Sequence, residues 1–151
     1  MPGETVEKEP TVNQDRAALR QQLIEDEGLV LHAYPDSLGY WTIGVGHLID
    51  QRKGGGIPED IAFVLLDRDI DAKQTEVLAR WPWMAHLDAA RLNVVLNMAF
   101  NLGTAGLGTF TEFLRHLEAG RYDRAASAML QSRWATQVGA RAQRLAEVMR
   151  G

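Results

Sequence analysis

The sequence predicts an α+β fold: a small antiparallel β-meander in the first third, a long helix after it, and helices over the remainder. Three observations predict it. Residues 29–49 are strand-like, with Leu29, Leu31 and Ala33 alternating with Val30, His32 and Tyr34, and with a β-rich run at 40–43. Residues 58–80 place Ile61, Leu65, Leu66, Ile70, Val77 and Leu78 at a helical period. Beyond Pro82 the apolar residues recur at helical spacing between glycine stops.

Residues 1–13 carry Pro2, Gly3, Pro10 and three glutamates, the composition of a flexible N-terminal arm, so the folded domain is expected over 14–151. A first helix starts near Asn13 or Asp15, either a suitable N-cap, turns Leu19, Leu23 and Ile24 to one face and stops at Gly28. Glu27 therefore ends that helix. Residues 36–39, Asp-Ser-Leu-Gly, form a turn, and residues 47–49 form a third short strand. After the break at Gly54, Gly55 and Gly56, Pro58 suits the first position of the long helix, with Glu59 and Asp60 in its first turn. Asp88 caps a helix closed by Gly103. Thr109 and Glu112 have the spacing of a capping box before a helix that ends at Gly120. Asp123 precedes an alanine-rich segment to Ser132, and residues 140–150 form the last helix. No repeat of solenoid length occurs.

Of the 151 residues, 46% are hydrophobic and 24% charged, as in a soluble globular protein. No apolar run reaches the roughly 18 residues of a membrane span, and the N-terminus lacks the apolar core of a signal peptide. The absence of cysteine removes disulfide and thiolate chemistry. Residues 1–79 hold 7 basic and 15 acidic groups, and residues 80–151 hold 9 basic and 5 acidic groups. The positive C-terminal half suits an anionic polymer, or is simply one side of a dipolar surface. No dense basic stripe interleaved with aromatics points to nucleic acid.

The chemistry concentrates in residues 27–47, EGLVLHAYPDSLGYWTIGVGH. Glu27 and Asp36 are carboxylates and Thr42 is a hydroxyl. Glycoside hydrolysis needs a carboxylic acid to protonate the leaving oxygen and a second group to guide a water. The acid must hold its proton near neutrality, which an apolar setting or a nearby negative charge favours; Glu27 lies between Ile24 and Leu29 and follows two acidic residues. Each residue also has a plain reading: Glu27 as a surface glutamate, Asp36 as a turn former, Thr42 as a strand residue. His47 has no second histidine at metal spacing, since His32, His86 and His116 are scattered, so no metal or other cofactor is expected. Trp81, Trp83 and Trp134 read as core residues before sugar platforms.

The stretch resembles the catalytic segment of the T-even phage type muramidases, the phage lysozymes of glycoside hydrolase family 24. Glutamate, eight residues, aspartate, five residues, threonine is the spacing of Glu27, Asp36 and Thr42, and the surrounding words Glu-Gly-Leu and Gly-Tyr-Trp-Thr-Ile-Gly-Val-Gly-His match too. Residues 97–103, 108–111 and 132–134 with Arg141 extend the resemblance over about residues 17–151. It implies a two-lobed lysozyme-like fold, a small sheet lobe joined by the long helix to a mainly helical lobe, with the cleft between them. It implies Glu27 as general acid, Asp36 and Thr42 positioning the water for inversion, and Leu48, Phe100 and Asn101 contacting sugar. Core positions are an equal reading for Leu48 and Phe100. It further implies Arg141 beside Glu27 and a structural His47–Asp69 ion pair. The segment from Asp50 to Pro58 is shorter than in the best-known phage member, which trims the cleft wall. The implied partner is bacterial peptidoglycan, cut between N-acetylmuramic acid and N-acetylglucosamine by a monomer without a membrane anchor. A free endolysin of this kind waits in the host cytoplasm for a membrane pore. A lytic transglycosylase and a non-catalytic wall-binding module are the alternatives.

Overall fold

The computed structural model describes residues 15–151, so the expected arm over 1–13, and Asn13 as a cap, lie outside the described residues. The chain divides into two compact units, Met1–Glu59 and Asp60–Gly151. The fold class is α+β, as expected, with three strands and seven α-helices among the described residues.

In the first unit, helix α1 spans Arg16–Glu27. Its N-cap is Asp15, whose carboxylate accepts the Ala18 N–H at 3.0 Å and so satisfies one of the amides that open a helix. The helix ends where Gly28 takes φ 80° and its N–H reaches Ile24 O. That positive φ favours glycine and turns the chain into the sheet. Strands β1 (Val30–Pro35), β2 (Trp41–Gly44) and β3 (His47–Leu48) follow as an antiparallel meander in the order β1-β2-β3. Tyr34 pairs with Thr42 and Pro35 with Trp41, and Thr42 and Ile43 pair with Leu48 and His47. So small a sheet hides little: Thr42 is the one buried residue among the described residues of this unit, and Leu31 is 82% exposed. The loop to the next helix is tied by Arg52, whose guanidinium grips Asp50 at 2.7 Å and holds that carboxyl down at about 2.

The second unit contains the hydrophobic core. Helix α2 spans Glu59–Arg80 and starts one residue past Pro58. Its apolar period is real, yet Ile61, Leu65, Leu66 and Ile70 are exposed and Val77 is the only buried residue of the helix. A 3₁₀ turn at Pro82–His86 leads to α3 (Ala89–Leu107), capped by Asp88 as expected. The stop at Gly103 exists as a break (φ 75°, ψ 160°), but the helix resumes beyond it to Leu107. Helices α4 (Thr111–Glu118), α5 (Tyr122–Leu130), α6 (Arg133–Val138) and α7 (Ala140–Arg150) complete the unit.

Phe113, Met84, Met98, Leu107, Leu117 and Met129 are among the largest side chains fully removed from water there. Each such burial contributes about 1.5–3 kcal/mol before the entropy of ordering is charged against it. Trp134 is in this core, and Trp81 and Trp83 are half-buried against its edge.

One local expectation is corrected, and the structure adds two details. The capping box does not form: the Thr109 hydroxyl donates to Gly106 O at 2.7 Å, Glu112 pairs with Arg115, and Phe110 occupies the cap position. Asp123 lies within the first turn of α5, favourable for the helix dipole, while Arg121 is the N-cap. Helix α6 was not separately expected; Ser132 caps it by accepting the Ala135 N–H at 3.2 Å, and its six residues are too few to show a period.

Candidate active site

Glu27 is the last residue of α1, at the point of chain reversal. The reversal carries its side chain onto the turn between β2 and β3. A Cβ built on Gly46 would stand 2.9 Å from Glu27 Oε2, 3.1 Å from its Cδ and 3.2 Å from its Cγ. Cγ, Cδ and Oε2 of the glutamate therefore lie against Gly46. The apolar enclosure anticipated from Ile24 and Leu29 is not built by those neighbours, because Ile24 is half-buried, Leu29 is 58% exposed and Glu27 itself is exposed.

Asp36 opens the β1–β2 turn. Its Oδ1 accepts the backbone N–H groups of Leu38 at 2.9 Å and Tyr40 at 2.8 Å, while its own N–H donates to Tyr40 O at 2.8 Å. This is the turn chemistry of aspartate, and it leaves Oδ2 without a bond in the hairpin. The plain reading and the functional one thus use different oxygens of one carboxylate.

Thr42 is 6% exposed, and its hydroxyl donates to Tyr40 O at 3.3 Å. With that proton committed, the oxygen remains an acceptor. Thr42 pairs with Tyr34 on one side and Leu48 on the other. Side chains alternate along a strand; Asp36 lies one residue beyond the end of β1 and two past Tyr34, so continuing that alternation assigns it to the Thr42 and Leu48 side. Diagonal neighbours in such a ladder are about 7–8 Å apart. That is a spacing of backbones; a single water bonded to both oxygens needs the side chains to lean to within about 5.6 Å of each other, twice an O–H···O distance. His47 pairs with Ile43, one step out of phase, and so belongs to the opposite face.

In the second unit, Phe100 and Leu48 of the first are 48% and 41% exposed, so neither occupies a core position. Phe100, Asn97 and Arg141 line one hollow of about 400 Å³ together with Leu66, Ile70 and Lys73. Arg141 donates to Asn97 Oδ1 through Nε at 3.0 Å and a terminal nitrogen at 2.6 Å. Asn101 is exposed, but its Oδ1 accepts the Trp134 indole N–H at 2.8 Å. An indole nitrogen only donates, which assigns the amide and leaves the Asn101 NH₂ group pointing outward. Asp69 is exposed on α2.

Residue-by-residue reading of the sequence did not single out Gly46, Asn97 or the Trp134–Asn101 bond. Asn97 and Asn101 at i and i+4 on one helix face were the available signal. Gly46 was visible only as one of two glycines flanking Val45. Among the described residues no group of histidine, aspartate and glutamate is arranged to hold a metal, and no helix is long and apolar enough to cross a membrane.

The pre-baseplate central spike protein Gp5 of Enterobacteria phage T4 is 28% identical across 93% of the chain, which spans 29% of that protein's length. A probable T4-type lysozyme of Dictyostelium discoideum is 26% identical, covering 88% of the chain and 94% of its own length. An endolysin of Acyrthosiphon pisum secondary endosymbiont phage 1 is 30% identical over 70% of each chain. Residues 24–149 match the family described as phage lysozyme, and the chain belongs to this family of glycoside hydrolases.

Proposed function

We propose that the chain is a peptidoglycan hydrolase that cuts the β-1,4 bond between N-acetylmuramic acid and N-acetylglucosamine by an inverting single displacement, with residues 14–151 as the catalytic domain. Glu27 protonates the leaving oxygen. Asp36, through its uncommitted Oδ2, and Thr42 orient a water that attacks the opposite face of the sugar. Inversion leaves room for that water by holding the two carboxyls about 6.5–9.5 Å apart. The observation that carries the reading is the pair of acceptors, Asp36 and Thr42, on one face of a hairpin whose next turn supports the Glu27 carboxyl.

Leu48, Phe100 and Asn101 contact the glycan in this reading, the first two by apolar packing on sugar faces and the third through its outward amide. Arg141, His47 and Asp69 take the supporting roles that the resemblance gives them. The protein works as a monomer on bacterial peptidoglycan and, as an endolysin, reaches it from the host cytoplasm through a membrane pore during lysis.

The test is the chemistry of the products. Wild-type protein should release reducing N-acetylmuramic acid ends from purified peptidoglycan, with the anomeric configuration opposite to that of the bond cut, and Glu27→Gln should release none. Release of 1,6-anhydro ends would instead identify a transglycosylase. Undiminished release by Glu27→Gln would remove Glu27 from the acid role.

A further inference from the structure

We propose that Gly46 is a positioning residue for the catalytic acid: the missing side chain at 46 is the seat of the Glu27 carboxyl. The inference rests on the general-acid reading of Glu27. It goes further in naming what holds the acid in register with the strand that carries Thr42.

Gly46 lies in the two-residue turn between Gly44, the end of β2, and His47, the start of β3. Its φ is +62°, where an L side chain is strained. That alone would explain a glycine and imply nothing about catalysis. Gly44 provides the comparison. Its φ is +71°, and a Cβ added there meets nothing within 4 Å. At Gly46 the same addition meets Glu27 Oε2 at 2.9 Å and the two preceding carbons at 3.1 and 3.2 Å. Both positions require glycine for the backbone, but only Gly46 has the acid resting on it.

The kind of atom that is met decides the consequence. All three are atoms of one flexible side chain and not backbone, so a methyl group at 46 is accommodated by swinging the Glu27 side chain, Cγ and Cδ included, to another rotamer. The fold survives and the acid is displaced. A reacting group held an ångström from its productive place costs on the order of a hundredfold in rate. Because β3 is hydrogen-bonded to β2, the turn that seats Glu27 is one continuous piece with Thr42 and Leu48. The acid and the water-orienting residues thus share one scaffold.

The experiment compares Gly46→Ala with Gly44→Ala, using reducing-end release from purified peptidoglycan and thermal unfolding. The expected result is a similar fall in Tm for both variants, since both bear the positive-φ strain. Only Gly46→Ala should lose kcat, by tenfold or more, with KM within about twofold of wild type. Equal kcat in the two variants overturns the proposal. So does a Gly46→Ala chain that fails to fold while Gly44→Ala folds, because the backbone and not the Glu27 side chain would then have resisted the methyl. Glu27→Gln, run alongside, separates the two levels: full activity there overturns the acid assignment itself, whereas an inactive Glu27→Gln beside equal alanine variants overturns only the role of Gly46.

Discussion

The indole N–H of Trp134 donates to Asn101 Oδ1 at 2.8 Å, and so a core residue sets the orientation of an exposed one. Trp134 is held by the core and by an edge-to-face contact with Phe110 at 6.2 Å between ring centroids. Its nitrogen can only donate, so the Asn101 amide cannot flip without leaving a nearly buried N–H unpaired.

Trp134→Phe is expected to keep most of the packing and release that amide. With one hydrogen bond worth about 1 kcal/mol, KM should rise about fivefold while kcat changes little. In an Asn101→Ala background the same substitution should leave KM where Asn101→Ala alone puts it. Additive KM effects would show that the bond does not act through Asn101.

Asp36 has a structural oxygen and a proposed catalytic one, and substitution can separate them. Asp36→Asn retains an Oδ1 acceptor for the Leu38 and Tyr40 amides, so stability should stay within about 0.5 kcal/mol of wild type while turnover falls by about 10²–10⁴. Asp36→Ala should lose the same turnover and, in addition, about 1–2 kcal/mol of stability from two unsatisfied amides. Urea unfolding and reducing-end assays on the two variants check this; an active Asp36→Asn would reduce Asp36 to a turn former.

The break at Gly103 (φ 75°, ψ 160°) lies in a region of backbone space that is essentially glycine-only. Space is not the obstacle, because a Cβ there would meet nothing within 4 Å. Gly103→Ala should therefore destabilise by about 1–3 kcal/mol through strain alone, read as a lower urea midpoint. An unchanged midpoint would show that α3 straightens through this position.

His116 should make stability fall as the solution is acidified. Its side chain is 12% exposed and its Nδ1 is buried without a partner. Burial, with Arg115, Arg121 and Arg124 nearby, holds its pKa below the ordinary 6.5, against a smaller opposing pull from Glu112. A histidine depressed in the folded state binds its proton more readily when unfolded, so stability is full above about 6.5 and is lost as pH falls below it. His116→Phe should flatten this decline between pH 7 and pH 5, measured as urea midpoints at each pH. Parallel declines in the two proteins would assign the acid sensitivity elsewhere.

Much of this architecture was legible because it is written in short-range patterns. Asp15 and Asp88 as caps, the stop at Gly28, the meander and the last helix all depend on residues within a few positions of one another. The errors came where two local signals compete. Thr109 and Glu112 have capping-box spacing, but the Thr109 hydroxyl finds Gly106 O first. The period of α2 predicts the helix correctly, and Ile61, Leu65, Leu66 and Ile70 are nonetheless exposed, because periodicity reports which residues share a side of a helix and not whether anything covers that side.

The sequence by itself determined the fold class, the family and the Glu27, Asp36, Thr42 spacing, because these are properties of order along the chain. Tertiary structure alone decided which Asp36 oxygen the turn occupies, that Thr42 is buried with its proton committed to Tyr40, that Glu27 rests on Gly46, and that Trp134 holds Asn101. The physical reason is the same in each case. Hydrogen-bond direction and the space beside a missing Cβ are set by groups brought together through folding, and no spacing or propensity encodes which atoms will meet.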